Sequence, residues 1–136
     1  MGKLHKITEC RFQSPKVRVV TINICIIKDM RHADITQILK HLKADLEAIL
    51  GDRMEALYLY GSQARDEARS DSDIDVLVVL RGDFQYFDMV QQTGDLAARL
   101  SLRYDTVISL AFISEEKYNH QQIPFILNVR QEGIAV

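Results

Sequence analysis

The chain of 136 residues has no tryptophan, two cysteines and two prolines. Cys10 and Cys25 stand apart from any cluster of histidines, which excludes a zinc-binding pattern and a disulfide framework and favours a reducing compartment. No apolar run approaches the roughly 18 residues that a membrane helix needs. The first 16 residues also lack the continuous apolar segment that is typical of a secretory signal. We therefore expect a cytoplasmic protein with no membrane partner.

The composition is that of an ordinary folded protein, and its charge is unevenly distributed. Apolar residues make up 47% and charged residues 26%, which excludes disordered and collagen-like chains. Residues 1–29 carry six basic and two acidic side chains, whereas residues 30–136 carry eleven basic and seventeen acidic ones. Because binding to nucleic acid by charge requires a basic surface, we expect no direct nucleic-acid partner. An acidic body favours a metal-binding enzyme or a partner with a basic surface.

Residues 1–29 form an N-terminal extension that carries no chemical motif. The β-branched stretch from Val17 to Ile27 predicts a strand. This strand could lie at the edge of a sheet, or the extension could be a loose arm or a translated upstream region, since Met30 directly precedes a helical pattern. We take residues 30–136 as the domain.

The rest of the chain alternates helical and strand patterns. Asp34, with Gln37 three residues later, predicts a capped helix that ends before Gly51. Strands are predicted over 56–60, 74–80 and 104–113, and helices over 63–69, 84–100, 115–122 and 124–132. The strand at 74–80 is apolar on both faces and should be central. This order predicts an α/β or α+β fold, a mixed β-sheet with helices packed on it.

The strongest chemical signal joins the first two strands. Gly61 and Ser62 follow the first strand, and a glycine there permits a tight turn with close approach of a ligand. Backbone N–H groups after this turn, with the Ser62 hydroxyl, suit an anion such as phosphate. Asp73 and Asp75 lie two apart on the next strand, so both carboxylates point to one face. Mg²⁺ is the natural cation between them, and a nucleoside triphosphate with Mg²⁺ satisfies both halves of the motif.

Asp105 adds a third carboxylate near the start of the third strand. We expect it on the strand face that continues through Val107, Ser109 and Ala111. Three carboxylates on neighbouring strands can hold two metal ions roughly 3.5–4 Å apart, which polarise an attacking hydroxyl and clamp the leaving phosphates. Asp105 would serve the acceptor-side metal or take the proton of the hydroxyl.

The spacing of Gly61-Ser62, ten residues, then Asp73-Ile74-Asp75 resembles the nucleotidyltransferase superfamily typified by DNA polymerase β. The short form, with GSxAR and DSDID, and the tail PFILNVRQEGIAV are similar to the minimal nucleotidyltransferase (MNT) group. The resemblance implies the nucleotidyltransferase fold. It also implies that Gly61, Ser62 and Arg65 contact the nucleotide, and that Asp73, Asp75 and Asp105 are catalytic metal ligands. The group usually has glycine after this arginine, where the present chain has Asp66.

Members of this group are often antitoxins encoded beside a HEPN-domain toxin, a ribonuclease. The resemblance implies Mg²⁺-dependent transfer of AMP from ATP to a hydroxyl, a tyrosine, of a cognate HEPN toxin, and an assembly with that toxin. Two alternatives stay open from the residues alone. One is a nucleotidyltransferase that modifies a small molecule such as an aminoglycoside, and the other is an antitoxin that acts by binding without catalysis.

Overall fold

A computed structural model describes residues 30–65 and 72–136. The predicted strand from Val17 to Ile27 lies outside the described residues, as does Asp66. Backbone contacts divide the chain into two compact units, Met1–Leu39 and Lys40–Val136. In the first unit, the described residues belong to the N-terminal half of one helix.

The second unit contains the sheet and the remaining helices. In chain order the described elements are α1 (Met30–Leu50), a 3-10 turn (Gly51–Arg53), β1 (Met54–Tyr60), β2 (Ile74–Leu80), α2 (Tyr86–Tyr104), β3 (Ile108–Ser114), α3 (Glu115–His120), α4 (Pro124–Glu132) and β4 (Ile134–Ala135). Within these described stretches, every helix is too short or too polar to cross a bilayer.

Two predicted helix ends are wrong by at least four residues, whereas the other ends of the described helices differ by two residues or fewer. Helix α1 already begins at Met30, so Asp34 lies inside the helix rather than at its cap. The four residues before Asp34 include no helix breaker, which lets the helix extend. Helix α2 continues past residue 100 to Tyr104, because Ser101, Leu102 and Arg103 also tolerate helical geometry.

The predicted mixed sheet is confirmed. The strand order is β3-β2-β1-β4, in which β1 is antiparallel to both β2 and β4, and β2 is parallel to β3. Two of the three strand pairings are antiparallel, and α2 connects the parallel pair β2 and β3, so the fold is a mixed α+β fold. Because β1 and β2 run in opposite directions, the last residues of β1 and the first residues of β2 lie at the same end of the sheet.

Strand β2 is the central strand, as its apolar sequence predicts, and it is buried along nearly its whole length. On one face, Leu77 and Val79 pack with Ile113 of β3 and with Ile126 and Val129 of α4. The residues of β2 that face the other way are buried as well. Burial on both faces holds β2 rigidly, and this strand carries Asp75, while Asp73 directly precedes it.

Candidate active site

The turn after β1 brings Gly61 against the carboxylate of Asp75. Gly61 has a φ of +76°, and a Cβ atom at this position would lie 2.7 Å from Asp75 Oδ2. Real Cβ atoms essentially never approach an oxygen so closely. A side chain here would therefore meet both a strained backbone and the carboxylate. The glycine predicted to allow close approach of a ligand is in contact with one of the predicted metal-binding acids.

Ser62 and Arg65 belong to a single turn that follows Gly61. The Arg65 N–H donates to the Gly61 carbonyl at 3.2 Å, and residues 61–65 form turns rather than the start of the predicted helix over 63–69. The rest of that helix lies outside the described residues. Ser62 is partly exposed. Arg65 Nη1 lies 3.7 Å from Glu132 Oε2 at the end of α4, and both side chains are exposed to solvent.

Asp73 and Asp75 lie at the start of β2, as the motif predicts. Asp75 is partly buried and is flanked in the sheet by Tyr60 of β1 and Ser109 of β3, whereas Asp73 is exposed. Burial raises the pKa of the Asp75 carboxyl, and the charge of Asp73 raises it further. The two acids are therefore close enough to repel each other, and a cation between them would relieve that repulsion.

Asp105 does not lie on the face of β3. It is the C-cap of α2, exposed, with a left-handed backbone at φ 50° and ψ 48°. The Ser101 carbonyl accepts hydrogen bonds from the N–H groups of Asp105 and Thr106, and the Ser101 hydroxyl accepts one from Ile108 N–H. These bonds hold the chain in a turn, so that the strand begins at Ile108. The prediction that Asp105 continues the strand face of Ser109 is therefore wrong.

The described residues suit a metal site with two acidic ligands better than a site with three. Over residues 30–65 and 72–136, no three side chains of His, Cys, Asp or Glu lie close enough together to hold a metal ion. The structure thus brings Asp73 and Asp75 together but does not add Asp105 to them. A pair of carboxylates is nevertheless a donor set that Mg²⁺ uses when substrate phosphates supply further oxygens.

Gln63 is a site residue that the sequence analysis did not single out. Its side chain is 8% exposed, and its Nε2 donates to the Ser72 carbonyl at 3.3 Å. This bond ties the turn after β1 to the residue before Asp73. Its Oε1 is buried and has no hydrogen-bond partner among residues 30–65 and 72–136. A glutamine in a polar loop carries no signal of burial, so the sequence could not have identified it.

A cavity of about 380 Å³ lies further along the same sheet face, over β2 and the edge strand β3. We call it the β3 cavity. Leu77 and Ala111 line it from the strands, Tyr86 lines it from the start of α2, and Phe125 lines it from α4. The ring of Phe125 also packs edge-on against Tyr60, at 5.2 Å between centroids. Tyr60 pairs with Asp75, so one wall residue of the cavity contacts the strand neighbour of Asp75.

Comparisons with known proteins agree with this arrangement. The family described as "Polymerase beta, Nucleotidyltransferase" matches residues 33–136. "Putative protein adenylyltransferase MJ0141" of Methanocaldococcus jannaschii is 36% identical over 76 residues, which cover 56% of this chain and 76% of that protein. "Putative protein adenylyltransferase MJ0604" of the same organism is 38% identical over 82 residues, covering 60% and 76%.

A crystal structure described as a "putative nucleotidyltransferase from Sulfolobus solfataricus" aligns with a TM-score of 0.46 at 17% identity over 76% of each chain. The family match covers most of the chain and includes the Gly61-Ser62 turn, Asp73 and Asp75. The chain belongs to the polymerase β-type nucleotidyltransferase family, with a domain of the MNT type, and it is a nucleotidyltransferase.

Proposed function

We propose that this enzyme transfers AMP from ATP to a hydroxyl of a partner protein, with Mg²⁺ as its cofactor. The observation that supports the proposal is the contact between Gly61 and Asp75, in which the turn proposed to bind phosphate lies against one of the two carboxylates proposed to bind Mg²⁺. The M. jannaschii relatives are named as protein adenylyltransferases, which favours a protein acceptor.

The reaction is an in-line displacement at the α-phosphorus of ATP. The acceptor oxygen forms a bond to this phosphorus, the bond from phosphorus to the oxygen bridging to the β-phosphate breaks, and pyrophosphate leaves. The N–H groups after Gly61 and the Ser62 hydroxyl would hold the leaving phosphates. Arg65, which is solvent-accessible beside Glu132, would add a positive charge to the same phosphates.

The acidic residues of the site have separate proposed roles. Asp73 and Asp75 would hold Mg²⁺, which when bound neutralises negative charge on the phosphates. The raised pKa of Asp75 agrees with two acids placed to share a cation. The acid pair does not include Asp105, so the role proposed for Asp105 is that of the base that accepts the proton of the acceptor hydroxyl.

The proposed acceptor is a tyrosine of a HEPN-domain toxin encoded beside this chain, which the modification would silence. The GSxAR and DSDID motifs and the chain's C-terminal PFILNVRQEGIAV support this partner by their resemblance to MNT antitoxins. The excess of acidic over basic side chains in residues 30–136 also suits a partner with a basic surface.

Asp73→Asn separates catalysis from binding. Asp73 is exposed, and asparagine keeps its size while removing a ligand charge, so the fold should survive. Loss of transition-state stabilisation should lower AMP transfer to the toxin by roughly 10²–10⁴, measured by mass spectrometry of the toxin after incubation with ATP and Mg²⁺. Toxin binding should persist and neutralisation should be lost.

Asp95→Asn is the matched control, since Asp95 is an exposed acid on α2 outside the proposed site. It should transfer AMP and neutralise the toxin like the wild type. Full neutralisation by Asp73→Asn would contradict the proposal and would favour an antitoxin that acts by binding alone. Transfer of AMP to an aminoglycoside but not to the toxin would favour the small-molecule enzyme.

A further inference from the structure

Asp73 is the exposed acid of the pair, and it lies just outside β2, which begins at Ile74. Both of its chain neighbours are held by hydrogen bonds. The carbonyl of Ser72 accepts one from Gln63 Nε2 at 3.3 Å. The N–H of Ile74 donates one to the Val107 carbonyl at 2.8 Å. The backbone of Asp73 is therefore held from both sides, on one side by a side chain of the turn after β1.

Gln63 is itself held in place by that turn. It lies between Gly61 and Arg65, whose backbone hydrogen bond of 3.2 Å closes the turn, and its side chain is 8% exposed. The next residue, Ala64, is fully buried. Because Gln63 is buried and attached to a closed turn, its amide has a fixed position relative to Gly61. The same glycine lies against Asp75.

The chemistry of the contact fixes the orientation of the Gln63 amide. A carbonyl oxygen only accepts hydrogen bonds, so the NH₂ group must face Ser72 and Oε1 must face away from it. Oε1 is buried and has no hydrogen-bond partner within the part of the chain that the structure describes. A buried acceptor of this kind lowers stability by as much as an ordinary hydrogen bond raises it, or by more. On these contacts the amide gains no net stability, which points to a role in positioning.

We propose that Gln63 is a positioning residue of the metal site and that its amide sets the distance between the turn after β1 and Asp73. This inference rests on the proposed function, because it takes Asp73 as a ligand of Mg²⁺. Strand pairing with β1 and β3 places Asp75. The hydrogen bond from Gln63 completes the placement of Asp73. A change at Gln63 should therefore move Asp73 and leave Asp75 where it is.

The geometry of Mg²⁺ makes the position of this acid important. The ion binds oxygen atoms at about 2.0–2.1 Å in a nearly ideal octahedron, so a small displacement of one ligand weakens binding. Groups that orient a metal ligand without touching the metal change metal affinity or activity by about 10–100-fold when they are removed. We expect the lower end of this range for Gln63, because the bond to Val107 still holds the other side of Asp73.

Titration of the full chain with a metal ion tests the inference without turnover. The probe is Mn²⁺, which takes the same oxygen ligands as Mg²⁺ and whose unbound fraction is measured by EPR. Gln63→Met keeps the length of the side chain and removes the donor. Its dissociation constant for Mn²⁺ should rise about tenfold, without loss of stability in urea denaturation. Gln92→Met is the matched control, since Gln92 is exposed on α2, and it should bind Mn²⁺ within about twofold of the wild type.

A double-mutant cycle separates positioning from a general structural role. If Gln63 acts through Asp73, Gln63→Met should weaken Mn²⁺ binding no further in a protein that already carries Asp73→Asn. A general disturbance of the site would also act on Asp75 and would weaken binding in both backgrounds. Additive effects of the two substitutions would therefore overturn the inference.

A measurement on the unmodified protein keeps the test available if Gln63→Met does not fold. The side-chain NH₂ protons of Gln63 are bonded to Ser72, whereas Gln91 and Gln92 are exposed. In NMR experiments the Gln63 protons should exchange with water at least about tenfold more slowly than those of the two exposed glutamines. Equal exchange rates would show that the bond to Ser72 is not made in solution and would overturn the inference.

The positioning role and the proposed function fail on different results. If Asp73→Asn leaves the affinity for Mn²⁺ unchanged, Asp73 is not a metal ligand, and the metal site of the proposed function is wrong together with the role of Gln63. If Asp73→Asn weakens Mn²⁺ binding and a folded Gln63→Met does not, the metal site stands and the positioning role alone is wrong.

Discussion

Gly61→Ala tests the contact on which the site is built. The added Cβ would lie 2.7 Å from Asp75 Oδ2, and the residue would have to keep a φ of +76°. The left-handed backbone alone costs an L side chain roughly 1–2 kcal/mol. The contact must also push the carboxylate away from the turn, because strand pairing on both sides fixes the backbone of Asp75.

Gly82→Ala separates these two effects. Gly82 has a φ of +71°, and apart from its chain neighbours no atom of the described residues lies within 4 Å of an added Cβ, so alanine there meets the same backbone strain without the contact. Both variants should lose roughly 1–2 kcal/mol of unfolding free energy in urea denaturation. A displacement of about 1 Å in a catalytic group costs around 10²-fold in rate, so AMP transfer by Gly61→Ala should fall by about that factor.

Transfer is measured under single-turnover conditions with ATP labelled at the α-phosphate, at a temperature where both variants are fully folded. Gly82→Ala should transfer AMP within about twofold of the wild type, because its strain lies in a turn at the opposite end of β2. Equal rates of AMP transfer for Gly61→Ala and Gly82→Ala would refute the reasoning, because backbone strain would then be enough to explain the effect of Gly61→Ala.

Three further predictions concern stability. The raised pKa of Asp75 means that the folded state binds its proton more tightly than the unfolded state, so ionisation of Asp75 lowers stability as the pH rises above about 4. Without divalent metal, Asp75→Asn should gain stability relative to the wild type between pH 4 and pH 7 in urea denaturation, and a pH-independent difference would contradict this. The unfolding free energy of Asp105→Asn should be within about 0.5 kcal/mol of the wild-type value, because asparagine tolerates the left-handed cap. That of Asp105→Ala should be lower than the wild-type value by about 1 kcal/mol. Equal losses in the two variants would show that the cap is not left-handed. Gln63→Met loses one hydrogen bond, which contributes about 1 kcal/mol to stability. It also removes the buried Oε1 acceptor, whose desolvation lowers stability by about 1–3 kcal/mol. The unfolding free energy of this variant should therefore be unchanged or higher. A loss of more than about 2 kcal/mol would contradict that balance.

The parts of the fold with a dense local pattern could be predicted from the sequence. Strand β2 occupies 74–80 as predicted, because a run that is apolar on both faces is stable only when it is covered on both sides. Helix α4 begins at Pro124 and ends before Gly133 as predicted, and Ser114 caps α3 by accepting a hydrogen bond from Lys117 N–H. Each of these signals comes from residues that are close together in the sequence.

The features that the sequence analysis missed depend on distant partners. Strand β4 has two residues and exists because Ile134 and Ala135 pair with β1. The position of Asp105 depends on the hydrogen bonds that Ser101 makes to the following turn. The walls of the β3 cavity come from α2 and α4, which are far apart in the chain, so no local pattern could have shown that Tyr86 and Phe125 line one cavity.

The motif spacing predicted that the turn after β1 and the aspartates at the start of β2 are neighbours, but not how closely they approach each other. The tight fit of Gly61 against Asp75 depends on the register of β1 against β2, which sets Tyr60 opposite Asp75. The metal-binding, nucleotide-binding and catalytic roles of Gly61, Ser62, Arg65, Asp73, Asp75 and Asp105 stay predictions that the variants above address.

The position of the transferred phosphorus is the most direct test of the proposed reaction. The proposed HEPN-domain partner is incubated with the enzyme, Mg²⁺ and ATP that carries a radioactive label at either the α- or the γ-phosphate. We expect the toxin to retain the α-label and not the γ-label, and to lose the α-label signal with Asp73→Asn. Retention of the γ-label would show phosphoryl transfer instead, and retention of neither label would show that the toxin is not an acceptor.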